Sequence, residues 1–138
     1  MKQLIDLLIA SVTVAMEAGG EPRAGKLAVA YVLANRVRSG NRSMTDVMLQ
    51  PQQFSCWNTD SPTRLNLDQA TDQQWATCFG CALAAMFGLE PDPTGGAVFY
   101  LNKKVVLASA GKLPNWWEID GSPESEVIIG NHAFRRHR

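Results

Sequence analysis

At 138 residues the chain has the length of one domain, able to bury roughly two-thirds of its unfolded surface. Thirteen basic residues balance thirteen acidic ones, which argues against a polyanion grip and so against nucleic acid as a partner. Three cysteines, an odd count, argue against a complete disulfide framework, and no stretch approaches the ~20 apolar residues of a membrane span.

In chain order, the first element is "MKQLIDLLIASVTVAM". Leu4, Leu8, Val12 and Met16 recur every four residues, flanked by Ile5 and Ile9, which predicts a helix apolar over most of its girth and hence central. The same stretch has the faint outline of an export signal. Asp6 inside the apolar run speaks against that, as does the loss of the element carrying Glu17 if cleavage fell near Ala15. Gly19 and Gly20 end this helix, and Pro22 fits the first position of a second one, with Glu21 just before it. Leu27, Ala30, Tyr31, Ala34 and Val37 share a face of that second helix, which stops near Ser39–Gly40.

A short helix is expected after Ser43 or Thr45, closing before Pro51. "QQFSCWNTDSPTRLN" reads as an ordered loop. Asp68 is the expected N-cap of a longer helix whose apolar face carries Trp75, Cys78, Phe79, Ala82, Leu83 and Met86, with Gly88 as its stop. After "EPDPTGG" the period changes: "AVFYL", "KVVLA" and "SEVIIG" are expected strands. The sum is a mostly helical α+β single domain over residues 1–138, with a small β-sheet or hairpin late in the chain.

The chemistry begins at Glu17. A carboxyl at the C-terminal end of a buried helix faces the negative end of the helix dipole among apolar groups, and both effects disfavour the anion. A carboxyl that keeps its proton near neutral pH is what a glycosidase-type general acid requires. The plainer alternative is a solvated glutamate at a helix end. Glu21, at a helix start, suits a structural role; no His or Asp lies near enough in sequence to make the two glutamates a metal pair. Cys78 and Cys81 with His132 and His137 formally echo a zinc pattern, but the span between the pairs is far too long for a finger. A buried helical stripe accounts better for both thiols, and neither metal nor cofactor is expected.

Four blocks in order, "EAGGEPRAGKLAVAYVLANRVRS", "QPQQFSCWN", "DPTGGAVFYLN" and "IGNHAFRR", resemble the SleB-type cell-wall hydrolases, a family of spore-cortex-lytic enzymes and related bacterial and phage proteins. The resemblance runs from about Glu17 to Arg136. It departs at Gly19, where the family's E-A-R-G-E motif has arginine. It implies a lysozyme-like fold related to lytic transglycosylases and resuscitation-promoting factors, with Glu17 as catalytic acid. The implied partner is peptidoglycan glycan strands, cut between N-acetylmuramic acid and N-acetylglucosamine. A single acid suffices for a lytic transglycosylase forming 1,6-anhydro-muramic ends. A hydrolytic muramidase would use a second carboxylate, for which Asp46, Asp60 and Asp68 are candidates.

Gln53, Phe54 and Ser55 match the family's Q-F block and are expected to line the glycan groove, as are Tyr100 and Asn102 of "FYLN"; a packed turn and an edge-strand face are the respective alternatives. Trp57, Trp116 and Trp117 are candidates for sugar stacking, with Trp116 favoured, although core packing is the commoner fate of tryptophan. His132 is a substrate-side candidate whose alternative is a structural hydrogen bonder. Arg36 is expected to support structure by pairing with Glu21. The expected setting is a monomeric phage endolysin, made in the host cytoplasm and released to the wall by a holin, without stable membrane insertion. An N-acetylmuramoyl-L-alanine amidase is disfavoured because its zinc needs several ligands and only two histidines exist. A non-catalytic glycan-binding or virion protein is the remaining alternative.

Overall fold

The computed structural model describes residues 2–40, 42–48 and 69–138. Gln53, Phe54, Ser55, Cys56, Trp57, Asp60 and Asp68 lie outside the described residues. Helix α1 spans Lys2–Ala18, α2 Arg23–Gly40, α3 Met44–Met48 and α4 Asp72–Phe87. Strand β1 (Phe99–Leu101) leads into α5 (Lys103–Ala110) and α6 (Asn115–Ile119), and a 3-10 turn at Pro123–Ser125 precedes β2 (Val127–Ile129) and β3 (His132–Arg135).

The central helix is α2, not α1. Every residue from Gly25 to Ala34 is buried, with Ala28, Val29, Val32 and Leu33 wholly so, because α1, α3, α4, β1 and β2 all pack against it. The first helix was expected to hold that place, but Leu4, Ile5 and Leu8 in its opening turns are about half exposed. Its burial concentrates later, at Ala10, Ser11, Thr13, Val14 and Ala18. Asp6, out of place in an apolar run, has a use: it accepts a hydrogen bond from Thr45 Oγ1 at 3.0 Å and ties α1 to α3. Helix α3 is capped by Ser43, whose hydroxyl takes the Asp46 amide at 3.1 Å.

Helix α4 starts at a capping box, with Thr71 rather than Asp68 as N-cap and Gln74 reaching back. Its buried stripe is Cys78, Cys81, Ala82 and Ala85, at helical spacing, whereas Phe79 is exposed. Both thiols are free and fully buried. Burial pushes each thiol above its ordinary value, the mark of a packing residue and not a reactive one. Gly88 closes α4 in the left-handed conformation at φ 65°.

The loop after α4 is pinned to α2 by Asp92. Its carboxylate accepts from Asn35 Nδ2 (2.9 Å), the Thr94 amide and hydroxyl (2.8 and 2.7 Å) and the Gly96 amide (3.0 Å). Tyr31 adds a hydrogen bond to the Glu90 carbonyl. This anchoring sets where β1 begins.

The sheet is antiparallel in the order β1-β3-β2. Tyr100 pairs with Phe134, and both face the helical core; Phe99, Leu101 and Ala133 point the other way, onto a smaller cluster around Trp117. Alternation along a pleated strand thus splits the two cores. The expected strand "KVVLA" is helical instead. Asn102 caps α5, its side chain accepting from the Val105 amide, and Gly111 ends it at φ 73°. No residue of α5 is buried.

Candidate active site

Glu17 is the penultimate residue of α1, as the sequence leads one to expect, and the chain then turns through Gly19 and Gly20. A Cβ on Gly19 would stand 2.3 Å from the Ala15 carbonyl oxygen. The turn below Glu17 is therefore built for glycine.

The two oxygens of the Glu17 carboxyl meet different surroundings. Oε2 accepts a hydrogen bond from the Tyr100 hydroxyl at 3.0 Å. Oε1 is buried and has no hydrogen-bond partner among the described residues. The side chain lines a cavity of about 660 Å³, together with Arg36, Phe99, Tyr100, Asn102, Val105, Trp116, Asp120 and His132. A second cavity, of about 510 Å³, opens on the other side of Glu17 and His132, beside Gly20, Glu21, Gln74, Cys78 and Asn131. Glu17 therefore stands where two adjoining lobes meet.

Tyr100, Asn102, Trp116 and His132 all reach the larger lobe, so four of the expected residues share a cavity with Glu17. Asn102 lends its side-chain oxygen to the α5 cap and so fixes the wall it belongs to. Trp116 is 41% exposed and lies against Phe99, ring centroids 5.7 Å apart, presenting an open aromatic surface. Trp117 is wholly buried beneath Arg135, whose guanidinium lies 4.4 Å from the ring centre; it is a core residue, not a stacking platform.

The expected pairing of Arg36 with Glu21 gives way to two separate roles. The residues sit at opposite ends of α2, roughly 20 Å apart at 1.5 Å per residue. Arg36 Nε donates to the Val98 carbonyl at 2.6 Å and the residue lines the larger lobe. Burial pulls its guanidinium below the ordinary value; Tyr100 and Glu17 oppose that pull and Arg42 reinforces it. Glu21 turns to the β2–β3 hairpin, where its Oε1 lies 3.0 Å from His132 Nδ1, out of line for a straight hydrogen bond, and 3.4 Å from the Asn131 amide. Lys26 Nζ donates to the Glu21 carbonyl.

Asp120, at the end of α6, also lines the Glu17 lobe and was not among the expected carboxylates. Asp46 lies on the exposed side of α3. Glu17 thus shares its cavity with one carboxylate, one guanidinium, a phenol and an imidazole. This is a set suited to moving a proton in a groove walled by aromatic rings.

The model of the cell wall hydrolase family matches residues 20–135, a span that opens three residues after Glu17. Among solved structures, the chain is similar to the catalytic domain of the germination-specific lytic transglycosylase SleB from Bacillus anthracis. The likeness has a TM-score of 0.67 and 25% identity, over 95% of this chain and 93% of that one. No curated protein matches significantly. The fold is accordingly the mostly helical, lysozyme-like α+β one that the sequence motifs imply.

Proposed function

Because the chain belongs to the cell wall hydrolase family, we propose that it cleaves peptidoglycan glycan strands between N-acetylmuramic acid and N-acetylglucosamine, as a lytic transglycosylase with Glu17 as its single acid and base. The observation that carries the reading is the asymmetry of that carboxyl: Oε2 is held by Tyr100, and Oε1 is buried at the junction of two lobes without a partner among the described residues. An orphaned buried oxygen is costly unless something else satisfies it. A glycosidic oxygen of a strand laid across both lobes would do so.

In the proposed reaction Glu17 Oε1 gives its proton to the bridging oxygen as the bond to muramic C1 breaks, leaving an oxocarbenium-like sugar. The muramic C6 hydroxyl then attacks C1, its proton returns to Glu17, and a 1,6-anhydro ring closes. Protons and electron pairs balance without water. Trp116 offers its exposed ring to a sugar face, and the Asn102 amide and the Arg36 guanidinium offer polar contacts along the same wall.

Asp120 supports a second reading. It brings another carboxylate to the same cavity, and a hydrolytic muramidase would use it to steer water. A digest of purified sacculi by wild type, Glu17→Gln and Asp120→Asn decides. Anhydro-muramic ends that survive Asp120→Asn and vanish in Glu17→Gln are expected. New reducing ends, lost in Asp120→Asn, would establish hydrolysis, and wild-type digestion by Glu17→Gln would end both readings.

The biological setting we propose is host lysis by a monomeric phage endolysin. Expression in a bacterial host with and without a holin tests it: lysis only with the holin is expected, and lysis in the enzyme's sole presence overturns it.

A further inference from the structure

Glu21 is buried and near Glu17 in the chain, yet the proposed chemistry does not use it. We propose that Tyr100 is a positioning residue that holds Glu17 Oε2 so that Oε1 delivers the proton, and that Glu21 and His132 act through Tyr100 by holding its ring. The inference rests on the reading of Glu17 as the acid.

Tyr100 is the middle residue of a three-residue strand, too short to fix a long side chain by backbone pairing alone. Its ring is fixed by two residues of β3 on the same face of the sheet. Phe134 stacks on it with centroids 5.9 Å apart, and His132 meets it edge-on at 5.4 Å and 68°. Pairs of this geometry prefer their arrangement beyond simple area burial. The hydroxyl at the far end of that ring is the one on Glu17 Oε2.

His132 in turn lies against Glu21. The Glu21 carboxylate sits under the Gly130–Asn131 turn, 3.0 Å from His132 Nδ1 and 3.4 Å from the Asn131 amide. The two glutamates of "EAGGE" are therefore joined twice, along the chain through a glycine turn and through space by His132 and Tyr100. A closed ring of this kind leaves the Glu17 carboxyl little freedom to rotate, and a carboxyl that keeps one orientation presents one oxygen to the substrate. Among the described residues, the other charged or titratable groups lining the lobes around Glu17 are Arg36 from α2, Asp120 from the end of α6 and Cys78 across the second lobe.

The test is steady-state kinetics on soluble glycan strands released from sacculi by an amidase, with Tyr100→Phe, Glu21→Gln, His132→Gln and the double variants. Tyr100→Phe keeps the stack and removes the hydroxyl that donates to Glu17. We expect kcat to fall about tenfold to a hundredfold, the span of one hydrogen bond to a charged group, with KM within about twofold. The alkaline limb of kcat should move to higher pH, because the carboxylate left after proton transfer has lost its donor. Glu21→Gln and His132→Gln should each lower kcat about two- to tenfold alone and add nothing in the Tyr100→Phe background. Should Glu21→Gln fail to fold, His132→Gln carries the same comparison.

Wild-type kcat and pH limb in Tyr100→Phe would overturn the proposal, as would losses that multiply in the double variants. Glu17→Gln run alongside separates the two levels. If it is inactive while Tyr100→Phe is unimpaired, only this proposal falls; if it turns over like wild type, the reading of Glu17 falls with it.

Discussion

A methyl group on Gly130 would stand 2.8 Å from Glu21 Oε2, and Gly130 itself adopts φ 60°. The β2–β3 turn and the start of α2 therefore share one tight contact that glycine alone satisfies. Gly130→Ala should destabilise the fold by about 1–3 kcal/mol, from the left-handed backbone and the forced shift of a buried carboxylate together. Urea unfolding of the two proteins checks this; equal midpoints would mean the turn relaxes freely.

The neighbouring tryptophans should separate binding from stability. Trp116→Ala removes an exposed ring from the cleft wall and should raise KM about twofold to tenfold, with little change in unfolding free energy. Trp117→Ala empties the small core under Arg135 and should cost about 3–5 kcal/mol. Thermal melts beside glycan-strand kinetics give both quantities.

Within the main core, Leu33 of α2 is wholly buried between packed helices. Leu33→Ala should destabilise by about 2–5 kcal/mol, the upper part of the range applying if the surrounding helices cannot close the void. An equivalent truncation at the half-exposed Leu4 should cost far less. Chemical denaturation of both variants tests whether α2 or α1 is the central helix.

Asp92 gives the fold a pH dependence. Burial pushes its carboxyl up, but the hydrogen bonds from Asn35, Thr94 and Gly96 outweigh that and hold it below the ordinary value. A carboxyl depressed on folding contributes stability that is fully present above its unfolded value of about 4 and is lost as pH falls through the folded one. Wild type should therefore exceed Asp92→Asn in stability at pH 7, with the gap closing from about pH 4 downward. A gap that persists at pH 2 would contradict this assignment.

The first two helices and the acid at the end of the first were legible because each is written locally: a four-residue apolar period, two glycines, a proline. Which helix is central was not, because burial all round depends on neighbours from five other elements. "KVVLA" misled for a related reason. Its β-branched pair suits a strand, and what decides for a helix is the Asn102 cap together with the Gly111 stop nine residues on. Glu17 and Tyr100 line one cavity, but the hydrogen bond between them had no sign in the sequence. The register that brings β1 onto β3 is a long-range fact. Asp120 carried no local sign at all, since an aspartate before a glycine at a helix end looks like any solvated turn.

Helix α5 forms part of the cleft wall and touches the interior only through Val106, being tethered chiefly by its Asn102 cap, the Gly111 stop and the Lys103–Glu126 ion pair at 2.7 Å. Selectivity and foldability are thus encoded in separate letters of the chain. Exposed positions of this segment such as Val105 and Leu107 should accept residues suited to a different wall polymer while the protein beneath folds as before.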